Sequence, residues 1–124
     1  MIIKHFEIGP RQSGKTTRLL EAVQNATTAH KVIFNEGYRH DVVVNGLIYA
    51  NELFRWEYYL IPLPLAECSI FFDDFMFMDS DSLKSVLEFI DDTHAELYMY
   101  STYNPKAQLS GIFPKIKLKF DAKH

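Results

Sequence analysis

GPRQSGKT at residues 9–16 is the most informative segment of this 124-residue chain. The mostly apolar segment MIIKHFEI precedes it, and apolar residues recur at helical spacing from Leu19 to Ala26 after it. This pattern predicts a strand that ends at Gly9, a glycine-containing loop, and an amphipathic helix that begins near Lys15. The chain therefore opens with a strand, a loop and a helix.

The loop matches the pattern G-x-x-x-x-G-K-[ST] at every defined position. Its glycines let the backbone curl so that successive N–H groups point at phosphate oxygens, and the helix adds the positive end of its dipole. In this pattern Lys15 reaches the β- and γ-phosphates, and the hydroxyl of Thr16 ligates Mg²⁺. The sequence therefore predicts a nucleotide-phosphate site. Its predicted binding residues are Gly9, Pro10, Arg11, Gln12, Ser13, Gly14, Lys15, Thr16 and Thr17.

Arg11 and Gln12 occupy variable positions of the loop pattern. The interpretation that we favour makes both of them solvent-exposed loop residues. In the alternative interpretation, Arg11 contacts the γ-phosphate or a neighbouring subunit.

A second stretch, SIFFDDF at residues 69–75, predicts a buried strand that ends in two acids. A strand beside the phosphate loop needs an acid at its carboxyl end to hold Mg²⁺, usually through water, and Asp73 directly follows the apolar run. Asp74 is the candidate that orients and deprotonates an attacking water. The opposite assignment, with Asp74 on the metal, stays open from the sequence.

The remaining clear segments are two strands, HKVIFN and AELYMYS, and a helix at SDSLKSVLEFIDD that Ser80 is expected to cap. KIKLKF at residues 115–120 alternates lysines with apolar residues, which predicts a final edge strand. Strands separated by helices indicate an α/β fold, with three αβα layers around a mainly parallel sheet. We expect one compact nucleotide-binding domain over residues 1–124.

The middle of the chain allows two interpretations. NGLIYANELFRWEYY at residues 45–59 has apolar residues at helical spacing, and we favour a helix there. VVVNGLIY instead suits a hairpin, because Asn-Gly favours a type I′ turn. The aromatic cluster FRWEYY at residues 54–59 could stack nucleic-acid bases, but we favour packing in a core or an interface because no basic residues surround the cluster.

Together, GPRQSGKT and IFFDDF resemble the P-loop NTPase superfamily. The resemblance is to its compact ATPases that have an extra strand between the phosphate-loop strand and the acidic strand, such as viral packaging or DNA-pumping ATPases. It implies that Asp73 binds the metal, and that Asp74 stands where this branch carries a catalytic glutamate. Aspartate is one methylene shorter, and this departure concerns hydrolysis rather than nucleotide binding.

That branch also carries a polar sensor of the γ-phosphate at the end of the next strand. Here YMYSTYNP supplies Ser101, Thr102 and Asn104, and is similar to the ST-x-N-P stretch of some DNA-pumping and packaging ATPases. Thr102 is the first candidate for the sensor and Asn104 is the second. The catalytic residues that we expect are Lys15, Asp74 and Thr102.

The composition disfavours some classes of protein and excludes others. The net charge of −3 gives no overall basic field that would attract nucleic acid, although a local patch or a ring of subunits could still make that contact. A lone cysteine, Cys68, excludes an internal disulfide and is expected to be an inert core thiol. No signal peptide or long apolar span is evident, so we expect a cytoplasmic protein with no membrane partner.

The sequence also lacks features of related nucleotide enzymes. It has no N-K-x-D motif, so ATP is expected rather than GTP. Transition-state charge on the γ-phosphate usually needs an arginine finger, and Arg39 and Arg55 are candidates that would act on a neighbouring subunit. For each of them an exposed, ion-pairing arginine is the favoured interpretation. The absence of an internal finger suggests a homo-oligomer or a partner protein.

Three hypotheses for function follow. The first is a small Mg²⁺-dependent ATPase that couples ATP binding or hydrolysis to remodelling of a nucleic acid or a protein, with a viral or mobile-element origin as an analogy. The second is a small nucleotide or metabolite kinase. The third is a nucleotide-binding switch that does not hydrolyse ATP.

Overall fold

The computed structural model describes residues 1–107, and the edge strand expected at residues 115–120 lies outside them. The described residues form one sheet of six strands: β1 (Ile2–Gly9), β2 (His30–Phe34), β3 (Val42–Val44), β4 (Leu47–Ala50), β5 (Cys68–Asp73) and β6 (Glu96–Thr102). Their order across the sheet is β1, β6, β5, β2, β4, β3. Every neighbouring pair is parallel except β3 and β4.

Three helices cover the two faces of the sheet: α1 (Lys15–Asn25), α2 (Trp56–Leu60) and α3 (Ser80–Ile90). Side chains alternate along β5, so Phe71 packs in the core beneath α1, while Ile70 and Phe72 pack in the core beneath α2 and α3. The expected α/β class, with three layers around a mainly parallel sheet, is therefore confirmed. No helix within residues 1–107 has the length and hydrophobicity that a membrane crossing requires.

Cys68 begins β5 and is fully buried. Burial raises the pKa of its thiol to about 11, so very little thiolate forms at neutral pH. The expectation that this thiol is buried in the core is confirmed.

The prediction of a helix over residues 45–59 is wrong for the first half of that segment. β3 and β4 form an antiparallel hairpin there, which turns at Asn45 and Gly46. Both turn residues have positive φ, 47° and 83°, as a type I′ turn requires. The hairpin prevails because β4 pairs in parallel with β2, and its side chains pack on both faces of the sheet.

Helical structure occupies only the second half of that segment, as a 3₁₀ turn at Leu53–Arg55 followed by α2. Trp56 contacts an aromatic ring of α3 with 4.9 Å between centroids, and Tyr59 is buried in the core. The packing interpretation of the aromatic cluster is confirmed for these two rings. Phe54 and Tyr58 are instead 67% and 71% exposed.

The cap of α3 is Asp79 rather than Ser80, which is the first residue of the helix. The Oδ2 atom of Asp79 accepts a 2.9 Å hydrogen bond from the backbone N–H of Ser82, and this bond lowers the pKa of Asp79. An aspartate suits the position because its carboxylate satisfies an unpaired N–H and complements the positive end of the helix dipole.

Candidate functional site

The loop between β1 and α1 depends on two glycines and one strained residue. Gln12 and Gly14 have positive φ, 58° and 82°. A Cβ atom on Gly14 would also lie 3.1 Å from the Nη1 atom of Arg18, and one on Gly9 would lie 3.3 Å from the Oγ atom of Ser13. The absence of side chains at both positions therefore lets the chain leave β1, curl back and enter α1 within a few residues.

The side chain of Lys15 lies inside this loop and is only 7% exposed. Its Nζ atom donates hydrogen bonds to the carbonyl oxygen of Pro10 at 2.9 Å and to the Oγ atom of Ser13 at 3.4 Å. None of the ion pairs formed within residues 1–107 involves this amine. A buried ammonium group among neutral acceptors is costly, so an anion at the loop would supply the missing counter-charge.

Arg18 joins the loop to the strand that precedes it. Its Nη1 atom donates a 2.8 Å hydrogen bond to the carbonyl oxygen of Ser13, and its Nε atom donates a 3.0 Å bond to Oε1 of Glu7. A second contact joins Nη2 to Oε2 of Glu7. This fork-shaped pair lowers the pKa of Glu7 and ties β1, the loop and α1 together. Neither Arg18 nor Glu7 belongs to the site predicted from the sequence.

β6 lies between β1 and β5 and brings their carboxyl ends together. Thr102 pairs with Gly9 across β1 and β6, and the N–H of Tyr103 donates a 2.9 Å hydrogen bond to the carbonyl of Gly9. On the other side of β6, the N–H of Asp74 donates a 2.8 Å bond to the carbonyl of Tyr100. The loop, the acids and Thr102 therefore share one edge of the sheet.

Asp73 is the last residue of β5 and is 9% exposed. Its Oδ2 atom accepts a 2.9 Å hydrogen bond from the side-chain amide of Asn35. Burial raises the pKa of Asp73, and the charge of Asp74 raises it further, while the bond from Asn35 and the charge of Lys15 act in the opposite direction. The site thus disfavours the charged form of Asp73, and a cation beside the carboxylate would favour that form.

Asp74 follows β5 in the left-handed conformation, with φ of 59° and ψ of 47°. Its Oδ1 atom accepts a 3.2 Å hydrogen bond from the backbone N–H of Thr102. This bond turns the carboxylate of Asp74 toward the end of β6, whereas that of Asp73 is bonded toward the end of β2. The two acids therefore occupy different positions, as different roles would require.

Two adjoining cavities open at this edge of the sheet. The loop cavity, of about 280 Å³, is lined by Arg11, Gln12, Ser13, Gly14, Lys15, Thr16, Thr17, Asp74 and Thr102. The acidic cavity, of about 380 Å³, is lined by Arg11, Asn35, Glu36, Gly37, Asp73, Asp74, Phe77, Met78 and Thr102. Arg11, Asp74 and Thr102 line both cavities, so they mark the boundary between the two.

The structure brings most of the predicted site residues together. All of the loop residues from Arg11 to Thr17 line the loop cavity, and Asp73 lines the acidic cavity. Pro10 contributes its carbonyl to Lys15, and Gly9 contributes its backbone to the pairing with β6.

The other two sensor candidates line neither of these cavities. The hydroxyl of Ser101 is buried and accepts a 3.1 Å hydrogen bond from the N–H of Met76. The side-chain amide of Asn104 donates a 3.1 Å bond to the carbonyl of the same residue. Both side chains therefore hold the turn that follows β5, and Thr102 stays the candidate for contact with a ligand.

Five further residues line the acidic cavity and do not belong to the site predicted from the sequence: Asn35, Glu36, Gly37, Phe77 and Met78. Asn35 follows β2, which lies beside β5, and its Oδ1 atom accepts a 2.7 Å hydrogen bond from the N–H of Gly37. Burial raises the pKa of Glu36, and the charges of Asp79 and Glu52 raise it further. The available signal was a polar residue directly after a buried strand.

The two arginines considered as fingers have different environments. Arg55 donates to Oδ2 of Asp41 at 2.7 Å and to the hydroxyl of Tyr59 at 2.9 Å, so the favoured interpretation of an ion-pairing arginine is confirmed for it. Arg39 is exposed, and no residue of the described part of the chain forms a hydrogen bond or ion pair with its side chain.

Within residues 1–107, no group of three or more His, Cys, Asp or Glu side chains is arranged to hold a metal ion. A Mg²⁺ ion bound with a nucleotide needs fewer protein ligands, because phosphate oxygens and waters supply the rest of its octahedron. Thr16 lines the loop cavity and Asp73 lines the adjoining acidic cavity, and a hydroxyl and a carboxylate are the kinds of oxygen donor that Mg²⁺ takes.

No protein-family model matches this chain, and no curated protein matches it in sequence. The function of the site therefore follows from its residues and their geometry.

Proposed function

We propose that this chain binds ATP, with the triphosphate seated in the loop of residues 9–17. The observation that carries this proposal is the amine of Lys15, which lies buried among neutral acceptors and takes part in no ion pair within residues 1–107. A triphosphate would supply the missing negative charge. The first N–H groups of α1 have no partner within the helix and would donate to the phosphate oxygens.

In this proposal Thr16 and Asp73 hold Mg²⁺. The raised pKa of Asp73 supports the assignment, because a cation beside this buried carboxylate would offset the cost of its charge. Mg²⁺ commonly takes one or two protein ligands together with phosphate oxygens and waters. Bound there, Mg²⁺ would neutralise charge on the β- and γ-phosphates.

In this proposal Asp74 orients the attacking water, and Thr102 contacts the γ-phosphate. Both residues line the boundary between the loop cavity and the acidic cavity, where a γ-phosphate that leaves the loop would meet the water. The hydrogen bond from Thr102 to Asp74 holds the carboxylate of Asp74 in place, and as a general base this carboxylate would take a proton from the water. Lys15 would stabilise the charge that develops on the phosphate.

The strand order supports the resemblance to the P-loop ATPase branch. In that branch an extra strand separates the phosphate-loop strand from the acidic strand. Here β6 lies between β1 and β5 and carries Thr102 at its end.

We extend the proposal to an ATPase that couples ATP binding or hydrolysis to remodelling of a nucleic acid or a protein partner, as viral packaging ATPases do. With Arg55 held by Asp41, an arginine finger would come from Arg39 of a second copy or from a partner protein. We place such a protein in the cytoplasm, which would be that of the host if the chain is virus-encoded.

Two observations keep the alternative functions open. The side chain of Asp74 is one methylene shorter than that of a glutamate, which favours a switch that binds ATP without turnover. The acidic cavity has room for a second small molecule beside the loop, which favours a kinase.

One assay separates these functions. Phosphate release is measured with Mg²⁺ and ATP, first alone and then with single-stranded or double-stranded DNA or RNA. An ATPase that remodels nucleic acid releases phosphate faster when its polymer is added. Phosphate transfer to an added acceptor would indicate a kinase, and ATP binding with release at the background rate would indicate a switch.

Two variants test the site itself. Lys15→Ala is expected to lose ATP binding, while the matched control Lys84→Ala, which removes an exposed lysine of α3, keeps it. Asp74→Asn is expected to bind ATP but to lose turnover. If Lys15→Ala binds ATP as tightly as the wild type does, the phosphate-loop assignment is wrong.

A further inference from the structure

The outer edge of β3 is an apolar strand edge with no partner in the described part of the chain. β3 ends the strand order of the sheet, and only its inner edge pairs, with β4. Its three residues are all valines, and Val42, Val43 and Val44 are 39%, 69% and 50% exposed. An exposed apolar edge strand is a template for pairing with another strand.

The register of the hairpin identifies the backbone groups that face outward. Val44 pairs with Leu47 next to the two-residue turn, and Val42 pairs with Tyr49. In such a hairpin the residues that flank the turn exchange hydrogen bonds, and this alternates along the strands, so Val42 and Val44 direct their N–H and C=O groups toward β4. Val43 therefore directs its N–H and its C=O away from the sheet.

The opposite edge of the sheet, at β1, has features that discourage strand pairing. The register of β1 shifts between Ile3 and His5, which marks a bulge, and the strand carries the charged residues Lys4 and Glu7. Bulges and charges are devices that protect edge strands. β3 has neither a charge nor a bulge nor a proline, and its short length of three residues is the one such device that it has.

Pairing of β3 with β3 of a second copy would be self-complementary. In an antiparallel pair centred on Val43, the two copies of this residue exchange both outward hydrogen bonds, and Val42 faces Val44 of the other copy. Asp41 then lies opposite Asn45 of the other copy and is already neutralised by Arg55 at 2.7 Å. The pairing therefore brings valine against valine and no like charges face to face.

A second apolar feature lies on the same side of the sheet. Val43 is opposite Ile48, whose side chain packs with the core under α2 and α3. On that side Phe54, Tyr58 and Ile61 are 67%, 71% and 59% exposed, and their spacing places them along one face of the helical segment. Stable interfaces bury about 800 Å² per partner, which is more than three valines can supply, so the proposed interface has to include this helical stripe.

The stripe adjoins the amino end of β3. The guanidinium of Arg55 lies 5.6 Å from the ring of Tyr58 and also bonds Asp41, the residue before β3. Arg55 therefore links the residue before β3 to one member of the stripe.

We propose that the edge of β3 and the helical stripe form a homodimer interface in which β3 pairs antiparallel with β3 of a second copy, with Val43 facing Val43. The dimer joins two six-stranded sheets into one continuous sheet, and the helical stripes flank the new strand pair. The interface lies outside the nucleotide site and does not depend on bound nucleotide.

Sedimentation of the full chain over a range of concentrations tests the proposal. The wild type is expected to sediment as a dimer. Val43→Lys is expected to sediment as a monomer because it places two cations face to face, and Val43→Pro is expected to do the same because it removes the outward N–H without affecting the pairing with β4. Leu20→Lys adds the same charge at an exposed position of α1 and is expected to stay a dimer.

Oxidative cross-linking tests the register. In the proposed pair the Cα atoms of the two copies of residue 43 are about 5.5 Å apart, which a disulfide spans, so Val43→Cys forms a covalent dimer. Val44→Cys does not, because its two copies are offset by two residues, about 7 Å by strand rise alone. The buried Cys68 is present in every variant and provides the background.

A wild-type chain that stays monomeric overturns the proposal. The partner of the edge would then have to be sought in residues 108–124 or in a different protein. A dimer that survives Val43→Lys and Val43→Pro, or one in which Val44→Cys cross-links and Val43→Cys does not, overturns it as well.

Discussion

The side-chain amide of Asn35 donates a 2.9 Å hydrogen bond to the carboxylate of Asp73. The two residues are 38 positions apart in the chain, and they meet because β2 and β5 are parallel neighbours. Asn35 also accepts a bond from the N–H of Gly37, which fixes the orientation of its amide. The proposed metal ligand is therefore positioned from the neighbouring strand.

Asn35→Ala is expected to weaken the binding of Mg²⁺, so that activity requires a higher Mg²⁺ concentration. Loss of a hydrogen bond to a charged group costs about 1.5–3 kcal/mol, so the Mg²⁺ concentration for half-maximal activity should rise roughly tenfold or more. The bond from Asn35 lowers the pKa of Asp73, so its loss should also move the acidic limb of the pH–activity profile to higher pH. Both quantities are measured by titration of Mg²⁺ at several pH values.

Asn25→Ala is the matched control, since it removes an exposed amide at the end of α1. An Asn35→Ala variant with the Mg²⁺ dependence and pH profile of the wild type would show that Asn35 does not position Asp73.

The hairpin at residues 42–50 is a segment in which the local sequence pattern does not distinguish a strand from a helix. Leu47 and Tyr49 pack on one face of the sheet, and Ile48 and Ala50 on the other, so the strand lacks the alternation of apolar and polar residues that marks a half-buried strand. Its apolar residues therefore matched a helical spacing equally well. The Asn-Gly turn was the correct local signal, and pairing with β2 decided the outcome.

Gly46→Ala is expected to destabilise the fold by at least about 1 kcal/mol, because alanine is strained at positive φ. The φ of Gly46 is 83°, and an added Cβ atom would lie 2.7 Å from the carbonyl oxygen of Ala29. Urea unfolding measures the loss. Asn45→Gly is the control, since glycine suits the other positive-φ position of the turn; equal stability of Gly46→Ala and the wild type would contradict the turn geometry.

The candidate site was predictable to the extent that it lies within contiguous motifs. The loop residues and Asp73 could be identified because spacing along the chain defines them. Glu7 and Asn35 could not, because each acts through a partner that is close only in the folded sheet, Arg18 for one and Asp73 for the other. Polar residues that adjoin parallel strands are the general signal that such partners leave in a sequence.

Glu7→Gln is expected to lower stability at neutral pH and to matter less in acid. The fork-shaped pair with Arg18 lowers the pKa of Glu7 below its ordinary value of 4.5. A carboxyl group whose pKa is lowered by folding contributes its full stability above the unfolded pKa and loses it as the pH falls through the folded pKa. The difference in unfolding free energy between the variant and the wild type should therefore shrink below pH 4.5.

Urea titrations at pH 7 and at acidic pH measure this difference, which partial exposure of the pair keeps small. Glu88→Gln, at the exposed pair with Lys84, is the control and should show a weaker pH dependence. A difference between Glu7→Gln and the wild type that is the same at both pH values would rule out the ion pair as its cause.

Asp73→Asn is expected to stabilise the chain while removing its response to Mg²⁺. Burial raises the pKa of Asp73 above its ordinary value of 3.8, so at neutral pH the folded state carries the cost of a buried charge. A group whose pKa is raised by folding costs stability as the pH rises through its unfolded and then its folded pKa. The neutral amide avoids that cost, and the variant should unfold at a higher temperature than the wild type at pH 7.

Addition of Mg²⁺ with ATP should reverse this order, because a ligand that binds only the folded state raises the unfolding temperature of the protein that binds it. The wild type should gain stability and Asp73→Asn should gain little, whereas Asp81→Asn, at an exposed position of α3, should respond as the wild type does. Thermal unfolding of the three proteins with ATP, with and without Mg²⁺, makes the comparison. If Mg²⁺ and ATP stabilise Asp73→Asn as much as the wild type, the metal is bound by a residue other than Asp73. Asp74 would then be the first residue to test.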